Sequence, residues 1–63
     1  MASYLVTASY PNGKIEYYTL RPEGSKFKCY LGNRTDALNS ALTKKAWIEK
    51  IATYATIVSV HKI

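Results

Sequence analysis

The sequence predicts an α+β fold: a small two-layer domain whose antiparallel β-sheet packs against one helical segment. Three observations carry this. Residues 3–10 and 14–21 are rich in β-branched and aromatic types, with partial period-two patterning. Pro11-Asn12-Gly13 lies between them, the turn chemistry that joins two antiparallel strands. Residues 36–55 contain neither Gly nor Pro and read as helical, and the tail from 56 to 63 returns to strand composition.

The hairpin comes first. Proline presets φ for the first central turn position, asparagine tolerates the second, and glycine supplies the left-handed residue that follows, which is a type I turn closed by a G1 bulge. That turn sets the register: Tyr10 opposite Lys14, Ala8 opposite Glu16, Val6 opposite Tyr18 and Tyr4 opposite Leu20. The other face carries Ser9 with Ile15, Thr7 with Tyr17 and Leu5 with Thr19. The Tyr4, Val6, Ala8, Tyr18, Leu20 face holds the larger apolar total and is the expected core side. A slip of one residue would invert the assignment.

Pro22-Glu23-Gly24-Ser25 reads as a second turn. A third strand is expected at 26–31, with Phe27, Cys29 and Leu31 on one face and Lys26, Lys28 and Tyr30 on the other. Thr35 and Asp36 then offer N-caps. One straight helix over 36–55 fits poorly, because Lys44, Lys45 and Glu49 would fall inside its apolar arc. Two segments fit better, with one kinked continuous helix as the alternative. The first presents Leu38, Ala41 and Leu42; the second, capped by Thr43, presents Trp47, Ile48, Ile51, Ala52 and Ala55 as a buried stripe. The C-terminal strand returns to the sheet beneath the helix. Val6, Leu20, Phe27, Leu38, Ile51, Val58 and Val60 form the expected core.

Sixty-three residues make one domain, residues 1–63, and a domain this small buries only about 60% of its unfolded surface. One Cys and one His supply neither an intramolecular disulfide nor a zinc ligand set, so stability rests on the apolar core, helped by self-association. Cys29, within an apolar-alternating run, reads as a reduced core residue of a cytosolic protein. No signal peptide is visible, and nothing approaches the roughly 20 apolar residues of a membrane span. A soluble, cytoplasmic protein is expected, without membrane association.

Four carboxylates and a single histidine form no catalytic motif, and the three glycines are scattered at turns. No enzyme activity, metal or cofactor is expected. The nine Lys and Arg, six Tyr and formal charge of +5 suit instead a surface that binds an acidic partner. The leading candidate site is the sheet face away from the helix, carrying Tyr17, Lys26, Lys28, Tyr30 and His61, where rings and cations together resemble the stacking surfaces of single-strand nucleic-acid binders. A second candidate is a basic patch of Arg34, Lys44, Lys45 and Lys50, partly neutralised by a Lys45–Glu49 pair. Trp47 is read as core, with exposure beside Tyr54 the condition for reading it as a partner anchor.

No family is recognisable. The general look is that of the compact regulatory proteins that bacteriophages encode, which act by occupying a host protein. The function expected is that of a non-enzymatic regulator or inhibitor that binds a protein partner; the alternative is a nucleic-acid-binding module using the Lys/Tyr face. The nine cations are spread along the chain rather than clustered, which favours the first. Self-association through a strand edge or a sheet face is also expected, with the uncharged first strand as the exposed edge.

Overall fold

The computed structural model describes residues 2–32, 35–38 and 41–63. The elements run β1 (Tyr4–Ser9), β2 (Ile15–Glu23), β3 (Lys26–Leu31), α1 (Lys44–Ala52) and β4 (Ile57–Lys62). The strands form one antiparallel sheet in the order β3-β2-β1-β4, with α1 against one face. The expected α+β architecture is present.

The first hairpin has the predicted register, from Tyr4 opposite Leu20 to Ser9 opposite Ile15. Its turn is closed by Gly13 N–H to the Tyr10 carbonyl at 2.9 Å and Tyr10 N–H to the Lys14 carbonyl at 2.9 Å. Asn12 Oδ1 accepts from Lys14 N–H at 2.9 Å. Gly13 takes φ 87°, which a side chain rarely adopts. The second hairpin is tighter than expected: β2 continues through Pro22 to Glu23, and Gly24-Ser25 alone makes the turn. Pro22 is tolerated because it needs no donor there. Gly32 N–H to the Tyr17 carbonyl marks the odd residues of β2 as bonded to β3, so the nitrogen of Pro22 faces the β1 side, where β1 only begins at Tyr4.

The core lies on the predicted face. Val6, Ala8, Leu20 and Cys29 are fully enclosed, and α1 closes over them with Trp47 and Ile51. Phe27, Leu38 and Val58 only pack against this cluster as half-buried residues. Val60, expected in the core, remains 38% exposed. The nine-residue helix touches β4, yet it covers Val58 and leaves Val60 open. Ala52 is exposed, while Ala55 still touches the core from beyond the helix end.

The largest correction concerns residues 36–42. Helix is confined to Lys44–Ala52, with Thr43 as its N-cap; the Thr43 Oγ1 accepts from Ala46 N–H at 3.2 Å. Thr35 and Asp36 cap nothing, and Leu38, Ala41 and Leu42 are not helical; residues 39 and 40 lie outside the described residues. The segment instead serves the outer edge of β3. Phe27 N–H donates to the Leu42 carbonyl at 2.7 Å, Leu42 N–H to the Phe27 carbonyl at 3.1 Å, and Leu38 N–H to the Cys29 carbonyl at 2.8 Å. These edge groups lie beside the enclosed core, where an unpaired donor or acceptor costs about 1–3 kcal/mol. That exceeds what helix propensity offers over a few residues.

The Trp47 indole Nε1–H also donates to the Phe27 carbonyl, at 2.7 Å, in a side chain only 2% exposed. Trp47→Phe removes this bond and leaves unfilled volume. The expected loss is about 1–3 kcal/mol of stability, read as a lower urea midpoint by far-UV circular dichroism. An unchanged midpoint would contradict the anchoring role.

Candidate functional site

Strand alternation assigns the open side of the sheet. Direct cross-strand partners place Tyr30, Thr19, Leu5 and His61 in one row. The next row holds Tyr17, Thr7 and Ser59, and the one beyond it Ile15, Ser9 and Ile57. In the other direction lie Arg21 with Lys28, then Glu23 with Lys26. The five residues expected on this face, Tyr17, Lys26, Lys28, Tyr30 and His61, all belong to it. They are not one cluster. Tyr17 and Tyr30 are diagonal neighbours across β2 and β3, the two lysines sit toward the Gly24 turn, and His61 is on the far edge strand, separated from Tyr30 by Thr19 and Leu5.

Arg21 was missed and changes the chemistry of this face. It stands directly opposite Lys28, and like charges in that position repel. The structure relieves this in two ways. The Lys28 Nζ pairs with Glu23 Oε2 at 3.1 Å, and the Arg21 guanidinium lies over the Tyr30 ring, 5.5 Å from its centroid. A shallow groove of about 210 Å³ runs among these residues and Pro22. The signal for Arg21 was present in the sequence: it follows Tyr17 and Thr19 at period two.

The opposite end of the face sets large exposed side chains among the small polar Thr7, Ser9 and Ser59. Ile15 is 51% exposed, Tyr17 52% and Ile57 62%, in two adjacent rows. Ile57 belongs to the tail strand, whose pairing partner only the topology reveals.

Three of the four residues of the proposed basic patch, Lys44, Lys45 and Lys50, lie on α1. Arg34 lies outside the described residues. The Lys44 ammonium sits 4.4 Å from the centroid of the Tyr4 ring, and that of Lys50 is 5.5 Å from the Trp47 ring; both shield core aromatics through cation–π contact. Lys45 is exposed. The expected Lys45–Glu49 pair does not form: the ion pairs among the described residues are Lys14–Glu16 and Lys28–Glu23. A lysine preceding its glutamate by four is the weaker helical orientation.

A second hollow, of about 480 Å³, opens on the helix side beside the first turn, between Tyr10, Pro11, Tyr18, Leu31 and Tyr54. The Tyr10 and Tyr18 hydroxyls share a hydrogen bond at 2.9 Å. Burial, reinforced by that bond, pushes the Tyr18 phenol well above its ordinary range. The Lys14 ammonium, 3.0 Å from Glu16 Oε1, is raised by its hydrogen bond and charge attraction to that carboxylate. Tyr54 stands 79% exposed at the rim, whereas Trp47 is enclosed and belongs to the core.

Comparison with protein families, curated proteins and solved structures finds no match to this chain.

Burial pushes the Cys29 thiol up to about 11, against a smaller downward pull from Lys50. A thiol so placed stays protonated and unreactive at neutral pH. Native protein at pH 8 is therefore expected to resist iodoacetamide until denaturant is added; rapid native labelling would contradict the enclosure. The linkage has a definite sign. The folded state holds its proton more tightly than the unfolded state, so this contribution is fully present below about pH 9 and is lost as pH rises toward about 11. Urea midpoints measured across that window are expected to fall.

Proposed function

We propose that this protein is a non-enzymatic regulatory or inhibitor-type protein that works by binding another protein through the open face of its sheet. The observation that carries this reading is the division of that face. Two of its three Lys and Arg side chains are engaged, Lys28 by Glu23 and Arg21 by Tyr30, while Ile15 and Tyr17 stand exposed as neighbours on β2, with Ile57 across Ser9 from Ile15. Neighbouring large apolar side chains on a monomer surface mark interaction sites, and exposed tyrosine offers contact area at low entropic cost. A nucleic-acid surface needs the reverse: free cations for phosphates and bare rings for bases. One face of Tyr30 is already occupied by Arg21. The net charge of +5 favours a partner of acidic character and speeds encounter with it.

The nucleic-acid reading keeps one supporting observation: Tyr17 is exposed on the same face as Lys26 and His61. A single experiment separates the two. The tagged protein captures its ligand from the source cell, with and without nuclease, alongside the Ile15→Ser, Tyr17→Ala, Ile57→Ser triple variant. The expected result is one stoichiometric protein partner that survives nuclease and is lost with the folded variant. Capture abolished by nuclease, with salt-steep micromolar binding to single-stranded oligonucleotides, would overturn the protein-binding reading. Capture unchanged by the variant would place the working surface elsewhere.

A further inference from the structure

The two edges of the sheet are not equivalent. The outer edge of β3 is occupied by the chain itself, through Leu38 and Leu42. β1, the uncharged strand that the sequence marked as an exposed edge, is internal, between β2 and β4. Among the described residues, the edge that remains is β4. Ile63 N–H bonds to the Ser3 carbonyl at 2.9 Å, which marks the odd residues of β4 as those bonded to β1. The alternation of an antiparallel ladder then turns the backbone groups of Val58, Val60 and Lys62 outward. The edge carries none of the usual protections: no proline, no carboxylate, and Lys62 only at its end.

We propose that β4 pairs antiparallel with β4 of a second copy of this chain, about a two-fold axis at Val60, and joins the two sheets into one. The side chains support the second copy over any other occupant, because this strand is complementary to itself in that register. Val60, 38% exposed on the helix side, meets Val60 of the second copy. Ile57 and Ile63, exposed on the open side, meet each other across the axis. Ser59 falls opposite His61, and Val58 opposite Lys62, so no cation faces a cation. The backbone pattern agrees. Val60 bonds with its counterpart and Val58 with Lys62, while Ile57 and Ile63 fall at a non-hydrogen-bonded position, where facing side chains come closest. A symmetric contact of this kind closes on itself and stops at the dimer.

The test is sedimentation of the wild-type chain and of Val60→Pro from micromolar to millimolar concentration. The Val60 N–H points away from β1, so proline removes a bond that only the dimer makes and is tolerated on an edge strand. Val60→Lys serves as the second variant if the first alters the far-UV spectrum. The expected result is a concentration-dependent wild-type dimer and a folded, monomeric variant. Mild oxidation of Val60→Cys is expected to cross-link two copies, while Ile57→Cys alone does not, because its own counterpart lies at the far end of the paired strands. A wild-type protein that stays monomeric throughout, a dimer that survives both substitutions, or cross-linking of Ile57→Cys as readily as Val60→Cys would overturn the proposal. Both Val60 variants leave Ile15, Tyr17 and Ile57 in place, so partner capture reports separately on the function proposed above.

Discussion

The Phe27 carbonyl accepts two hydrogen bonds, from the Leu42 backbone and the Trp47 indole, and this shared acceptor decides which half of the sheet is closed. A chain of this length has little apolar material to cover two faces and two edges. The Leu42 bond holds that residue against the outer edge of β3. The Trp47 bond fixes the first turns of α1 over Val6, Leu20 and Cys29. With both in place, β3 is covered and the helix is committed to one face. The open face and the β4 edge are what remains exposed.

That division also explains the distribution of charge. The ammonium groups of Lys44 and Lys50 rest over Tyr4 and Trp47, and their stems add cover to the core. On the open face, the opposition of Arg21 and Lys28 would be costly if left alone. Glu23 and Tyr30 resolve it locally. Under the proposed protein-binding function, the net charge of +5 would act as a long-range attraction for an acidic partner.

Much of the sheet was legible in the sequence, for reasons that can be named. Pro11-Asn12-Gly13 allows one turn geometry, and that turn carries the whole β1–β2 register with it. Period-two alternation then sorted Tyr17, Lys28 and Tyr30 from Leu20 and Cys29 correctly. Residues 36–38, 41 and 42 were misread because local propensity was the only signal available for them. The unpaired backbone groups of Phe27 and Cys29 that draw Leu42 and Leu38 into extended structure become visible only when β3 is known to be an edge. Val60 was placed in the core by composition, but α1 covers Val58 and not Val60 on that strand, which composition does not encode. The position of β1 between β2 and β4 is likewise a matter of topology, which alternation within a strand does not encode.

Backbone amide hydrogen exchange at low micromolar concentration tests the central claim most directly, because it reads the two edges residue by residue. The amides of Phe27, Leu38 and Leu42 are predicted to exchange slowly, near the rate set by global unfolding, since each is bonded across the β3 edge. Those of Val58, Val60 and Lys62, facing outward from β4, are predicted to exchange much faster than the amides of Ser59 and His61 beside them. Fast exchange at Phe27 and Leu42 together with protection of Val60 would show that the chain closes the opposite edge, and would contradict the account.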